Sequence, residues 1–293
     1  MRIGIHTSTS GALVNAAHKA VELGANCFQI FSASPRMWRA APVEPEQASA
    51  MKAVRAEHDL RPLVIHDSYL INLAAADPEI RAKSIPAFRG ELTRAIAIGA
   101  DYLVMHPGSA KGHAGVEQAL ETLAGSLEMA ARGLKAPGLT LLFEDTAGGG
   151  ASIGRTLEEL KTLAEMAGPR LPFPVGYCLD TCHLYASGYD VATEKGLAST
   201  VKQAANVLGL ERIPVIHAND SKGALNSHLD RHANIGEGHI GRAGFRRILN
   251  HPKLRGKAFI LETPIDNEGD DQRNVDTLKS LCPKPRTTTN KSK

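Results

Sequence analysis

Nine side chains in this sequence have the types and settings of metal ligands. Six of them end short apolar runs: His66 in LVIHDS, His106 in LVMHPG, Glu144 in LLFEDT, Asp180 in YCLDTCH, His217 in VIHANDS and Glu262 in ILETP. The other three are His183, which closes the Asp180-Thr-Cys-His183 group, and Asp230 and His232 within HLDRHANIGEGHIG. Mixed imidazole and carboxylate ligation suits zinc, with manganese or iron compatible at some positions. Five histidines and four carboxylates exceed the roughly four ligands that one zinc ion takes. Four carboxylates gathered without cations would also repel one another and raise their own pKa values. Several divalent cations, with one carboxylate bridging two of them, resolve both difficulties. A single histidine at a strand end is ordinarily a surface or supporting residue, but six strand ends in series argue against coincidence.

Bringing such residues to one place requires a scaffold whose strand ends meet. β-rich runs at 2–7, 27–31, 63–67, 102–107, 140–146, 175–180, 215–219 and 258–263 alternate with Ala- and Leu-rich helical stretches. VEQALETLAGSLEMAARGL and TLEELKTLAEMAG have helical periodicity, and each reaches a glycine, as helix C-termini often do. Asp77-Pro78 opens another helix with a cap and a proline at its first position, and Pro86 is expected to split that segment. Strands alternating with helices pair in parallel through βαβ units. Eight such units predict an α/β fold, a single (β/α)8 TIM barrel over residues 1–282, with the metal site at the C-terminal mouth of the strands. A doubly wound sheet would often carry G-x-G-x-x-G after its first strand, and HTSTSGALVNA lacks it. No nucleotide cofactor is therefore expected. Val64, Val104, Leu142, Val215 and Ile260 lie two residues before His66, His106, Glu144, His217 and Glu262. Each pair shares a strand face, so apolar residues would fill the barrel beneath a polar rim.

Other residues that catch the eye carry weaker signals. His6, at the end of the first strand, is a neighbour of the site with no assigned role. His113, His228 and His239 sit in loops and are compatible with solvation. Cys178 and Cys182 flank Asp180 at strand spacing, which points Cys178 into the barrel as a small apolar residue. Gly148-Gly149-Gly150 reads as a flexible turn.

Composition sets outer limits. Of 293 residues, 43% are hydrophobic and 22% charged, ample for a core and ordinary for a soluble domain. No stretch approaches a membrane span of roughly 18 apolar residues, and the N-terminus does not read as a signal segment. Four cysteines suggest no disulfide framework, so a cytoplasmic location is expected. A net charge of +3 permits nucleic-acid binding without implying it. The tail, 283–293, is polar, basic and expected to be disordered.

HDSYLINLA, MHPGS, FEDTAGGG, CLDTCHLYASGYD, HANDSK, DRHANIGEGHIG and LETP follow one another in an order that resembles the endonuclease IV family, the metal-dependent apurinic/apyrimidinic endonucleases. The resemblance runs from Met1 to about Leu281, and all nine ligand positions carry the family's residue type. It implies three zinc ions. His66, His106 and Glu144 would bind one; Glu144 would bridge to a second, completed by Asp180, His217 and Glu262; His183, Asp230 and His232 would hold the third. It also implies incision of duplex DNA 5′ to abasic sites and trimming of blocked 3′ ends, with Glu144 or Glu262 available to relay a proton. The family's loops after strands two and three enter the minor groove, which nominates Arg36, Tyr69 and Leu70 as wedge or gap-filling residues. Lys222 is a candidate phosphate contact. Ser34 stands where the family commonly has asparagine. A monomer is expected.

The competing reading is a metal-dependent sugar isomerase or epimerase, since xylose-isomerase-like barrels share this architecture. Such enzymes generally use one or two ions and need neither His232 beside Asp230 nor the HDSYLINL loop. A non-catalytic damage-binding protein would keep structural zinc in a closed, usually cysteine-rich site, and the nine-residue set contains no cysteine.

Overall fold

The structure is a computed structural model of the chain and describes residues 1–283; the expected disorder of the tail lies, its first residue apart, outside them. Eight parallel strands close into a barrel: β1 (Arg2–His6), β2 (Cys27–Phe31), β3 (Leu63–His66), β4 (Tyr102–Met105), β5 (Thr140–Glu144), β6 (Val175–Asp180), β7 (Val215–His217) and β10 (Ala258–Leu261). The small strands β8 (Asp220–Ser221) and β9 (His232–Ala233) pair antiparallel outside it. β10 pairs with both β7 and β1, so the sheet has no free edge. Among the described residues no helix is long and apolar enough to cross a membrane.

Strand alternation divides the apolar residues into two cores. Cys27, Val64, Val104, Leu142, Cys178, Val215, Ala258 and Ile260 fill the barrel interior, as the pairing with the polar rim predicts. Leu63, Ile65, Leu103, Leu141, Phe143 and Phe259 face outward against the helices. Gly4 on β1 is required by this packing, because a Cβ there would lie 2.2 Å from the Cys27 carbonyl oxygen.

Helix α3 (Pro78–Ile98) starts as expected, with the Asp77 carboxylate accepting from Glu79 N at 2.8 Å. It does not split at Pro86 but runs through it. A proline in a helix interior costs about 3 kcal/mol. Phe88, Leu92, Ala95 and Ile98 are all fully buried against the barrel, and burying a large apolar side chain contributes roughly 1.5–3 kcal/mol. Three such residues outweigh one proline. Helices α4 (Val116–Ala131) and α5 (Leu157–Ala167) fall within the periodic segments, and Thr156 caps α5 through Glu159 N.

Candidate metal centre

All nine predicted side chains meet at the mouth of the barrel. Their donor atoms form three groups, each lying within 4.8 Å: His66, His106 and Glu144; Glu144, Asp180, His217 and Glu262; His183, Asp230 and His232. Six of the nine end a barrel strand or follow its end by one residue. His183 arrives by local helix chemistry. Asp180 is the N-cap of the short helix α6 (Thr181–Ala186), its Oδ1 accepting from Cys182 N and His183 N. A capping carboxylate and a histidine three residues later are thereby fixed side by side. Asp230 lies in the connection after β8, but His232 begins β9 rather than lying free in a loop.

The hydrogen bonds around the histidines decide which nitrogen faces the centre. His66 Nδ1 donates to the Asp67 carbonyl at 2.9 Å, His183 Nδ1 to the Asp145 carbonyl at 2.9 Å and His232 Nδ1 to the Glu262 carbonyl at 3.1 Å. With Nδ1 held as the outward donor, the Nε2 atoms face inward and are the ones a cation would take on losing any proton they carry. His217 is reversed: Nε2 donates to Gln29 Oε1 at 2.8 Å and Nδ1 lies 2.8 Å from Glu144 Oε1. His106 Nε2 lies 3.7 Å from Glu144 Oε2.

Electrostatics in the set is dominated by burial and by Glu144. Burial disfavours charge on His66, yet its hydrogen bond with Glu144 lifts its pKa to about 9. Burial lowers His106 to about 4. Burial works against ionisation of Glu262, but the His217 charge brings it down to about 2, and Glu144 is held well below the usual carboxylate range against the same burial cost, chiefly by His217. Asp230 is lowered to about 2 by its hydrogen bond with His183. In this arrangement protons on histidines balance the carboxylates. His232 Nε2 is buried and has no hydrogen-bond partner. A buried imidazole nitrogen aimed at Asp180 and Asp230, each 3.6 Å away, fits a cation as its missing partner.

Four supporting residues were not foreseen from the sequence. Gln29, completely buried in β2, donates to Glu262 Oε1 and also lies 3.1 Å from His6 Nδ1. His6 therefore joins the site through Gln29. Asn219 donates to Asp180 Oδ2 at 2.6 Å and accepts from Glu262 N at 2.7 Å. Asp145 accepts from Asp180 N at 2.7 Å, and Asp67 offers His66 its carbonyl. The available signals were a glutamine inside the apolar run CFQIF and an asparagine two residues beyond His217.

The remaining candidates take varied positions. Cys178 points into the barrel interior, and Cys182 Sγ lies within 4.8 Å of donor atoms of Asp180 and His232. In the Gly148–Gly150 run Gly148 is close-packed, since a Cβ there would lie 2.9 Å from His228 Nδ1, itself 3.1 Å from the Ala147 carbonyl, whereas Gly149 and Gly150 are exposed. His113 Nε2 lies 2.7 Å from the Ala74 carbonyl, and His239 is exposed. Arg36 and Lys222 are exposed, Leu70 is half-buried, and Tyr69 is 71% exposed with its ring edge-on to Phe31. The loops after β2 and β3 are tied by the Ser68 hydroxyl, which donates to the Pro35 carbonyl at 2.7 Å. Ser34 is exposed beside that contact.

Residues 17–281 match the family described as xylose isomerase-like TIM barrel. A probable endonuclease 4 of Solibacter usitatus is 57% identical over 282 residues, covering 96% of this chain and 97% of the relative. The chain belongs to the endonuclease IV family. It is accordingly an enzyme, a metal-binding nuclease of the deoxyribonuclease IV class acting in DNA repair. The crystal structure of endonuclease IV from Thermus thermophilus superposes on this family member with a TM-score of 0.83 at 38% identity, covering 96% of this chain and 98% of that one. A D-tagatose 3-epimerase-like protein superposes at 0.69 with 19% identity, covering 96% and 97%; that likeness reflects the shared barrel alone.

Proposed function

We propose that the protein hydrolyses the phosphodiester on the 5′ side of abasic sites in duplex DNA, leaving a 3′-hydroxyl and a 5′-deoxyribose phosphate, and that the same site trims blocked 3′ ends. The convergence of nine donors in three groups at the barrel mouth carries this reading. His66, His106 and Glu144 would hold one ion, Glu144, Asp180, His217 and Glu262 a second, and His183, Asp230 and His232 a third. Three zinc ions fit this donor set, with manganese or iron suited to some positions. When bound, the ions supply a nucleophilic water at neutral pH and neutralise charge on the phosphodiester. Without them a phosphate would meet four clustered carboxylates.

The protein's own contribution is orientation and proton handling. Backbone carbonyls fix three of the imidazoles, and Gln29 fixes the fourth. Glu262, 18% exposed at its side chain against 0% for Glu144, is the more open of the two carboxylates that could relay a proton from the attacking water. Arg36, Tyr69 and Leu70 would enter the helix at the missing base, where inserted side chains stabilise an unstacked step. Lys222 would meet a backbone phosphate. Met37, Tyr69, Leu225, Leu229 and Ile265 are large exposed apolar residues, and all five stand in connections that leave the mouth end of strands, which suits a face that packs on DNA.

Electrophoresis of a 5′-labelled duplex carrying one stable abasic analogue tests the reading. A single product ending in a 3′-hydroxyl immediately 5′ to the lesion, absent with chelator and on intact DNA, is expected. An uncut duplex in the presence of fully metal-loaded protein would contradict it and turn attention to sugar substrates.

A further inference from the structure

Asp230 and His232 stand on the long connection between β8 and helix α8 (Gly241–Asn250), and ligands on a connection need something to hold it. The anchor is Asp220. This residue is completely buried on β8, and its carboxylate is satisfied by backbone. Oδ1 accepts from Ser221 N and Ile240 N, both at 2.9 Å. Oδ2 accepts from Gly236 N at 2.9 Å and Gly238 N at 3.1 Å. Gly241 N lies 3.3 and 3.2 Å from the two oxygens. Main-chain N–H groups converging on one centre make the kind of concavity, a nest, that ordinarily binds a free anion. Here the chain fills it with its own side chain.

The glycines are what let the backbone wrap so closely. Gly236 and Gly241 have φ of 92° and 68°, and a Cβ on Gly238 would lie 2.5 Å from Asp220 Oδ1. The wrapped segment follows directly on β9, which pairs Asp220 with Ala233 and Ser221 with His232. Lys222 N donates to the Arg231 carbonyl at 2.9 Å, continuing that ladder toward Asp230. Ladder and nest meet at one residue, whose backbone pairs with β9 and whose carboxylate holds the nest, so displacing the carboxylate releases one side of the segment that presents the two ligands.

We propose that Asp220 is the positioning residue of the His183–Asp230–His232 group, setting the affinity of that cation site without touching the ion. This rests on the three-ion reading above. Asparagine is nearly isosteric but would turn an amide NH2 toward N–H groups, so Asp220→Asn tests charge and acceptor capacity with little change of volume. Zinc-loaded protein would be titrated with a graded chelator and its bound ions counted by elemental analysis. Loss of one ion at about 10- to 100-fold weaker chelation, the usual effect of removing support from a ligand, is expected, with the other two retained. Amide hydrogen exchange at Gly236, Gly238 and Gly241 should accelerate in parallel.

Asp101→Asn is the control, because Asp101 accepts from Leu63 N and pairs with Arg55 at the far end of the barrel; it should lower Tm and keep every ion. Should Asp220→Asn fail to fold, Gly238→Ala presses on the same carboxylate from the loop side and should reproduce the selective loss. Retention of all ions at wild-type affinity by the folded variant would overturn the proposal. A wild-type protein holding no ion that His232→Ala loses would instead overturn the three-ion reading, and the proposal with it.

Discussion

Glu144 faces four imidazoles at once, His217 Nδ1 at 2.8 Å, His66 Nε2 at 3.1 Å, His183 Nδ1 at 3.5 Å and His106 Nε2 at 3.7 Å, and it belongs to two of the three donor groups. Its replacement should therefore disturb two ions together. Glu144→Gln is expected to lower incision by more than about 100-fold, beyond the usual range for residues that merely support a ligand, and to reduce bound zinc by two per chain on elemental analysis. Loss of one ion would show that Glu144 does not bridge. The shifted histidines make a second prediction. His66 carries a pKa raised to about 9, and His183 and His217 are raised well above the ordinary value. His66 would thus be protonated at pH 7 before a cation arrives. Zinc binding must then expel that proton, so affinity should rise with pH up to about 9 and weaken as pH falls. Calorimetric titration at pH 7 in two buffers of different ionisation enthalpy should give different heats; identical heats would contradict it. Six of the nine candidate ligands were legible because each is a polar residue ending an apolar run, and His183, Asp230 and His232 by their clustering with other ligand types and by the family resemblance. Gln29 and Asn219 bond to side chains that only the closed barrel brings near, so pattern alone does not single them out.

Elements were legible where periodicity is strong and obscure where a few contacts decide. All eight barrel strands fall inside the expected runs, and several of the expected extra residues still make one ladder bond past the strand. Asp67 N donates to the Val104 carbonyl at 2.9 Å and Ala218 N to that of Ile260 at 2.7 Å. The differences are thus of the size that assignment of strand ends carries. β8 and β9 are too short for any pattern and depend on Asp220 and its nest. The expected break at Pro86 is absent because a local rule meets a larger packing term. Pro86→Ala should restore the missing N–H at an exposed position. With a helix-interior proline costing about 3 kcal/mol and part of the gain offset by a freer unfolded chain, thermal unfolding should show a Tm a few degrees higher. An unchanged or lower Tm would show that the proline is matched to the helix geometry.

At the scale of the molecule, the barrel gathers chemistry at one end and leaves the other to stability. The mouth presents deep polar ligands inside a rim of exposed apolar and basic residues, a layout suited to a bent, backbone-charged polymer. Tyr69→Ala should raise KM for an abasic duplex by roughly 5- to 160-fold, taking the 1–3 kcal/mol typical of base–aromatic contacts as a guide, and leave bound zinc unchanged. A variant that lost zinc would instead place Tyr69 in the support of His66, whose ring centroid is 6.1 Å from its own. The account stands or falls on the cations themselves. X-ray diffraction from zinc-loaded crystals, collected on both sides of the zinc absorption edge, would locate them directly. Three anomalous peaks are predicted, one in each donor group with Glu144 beside two of them; a peak missing among His183, Asp230 and His232 would contradict the three-ion centre.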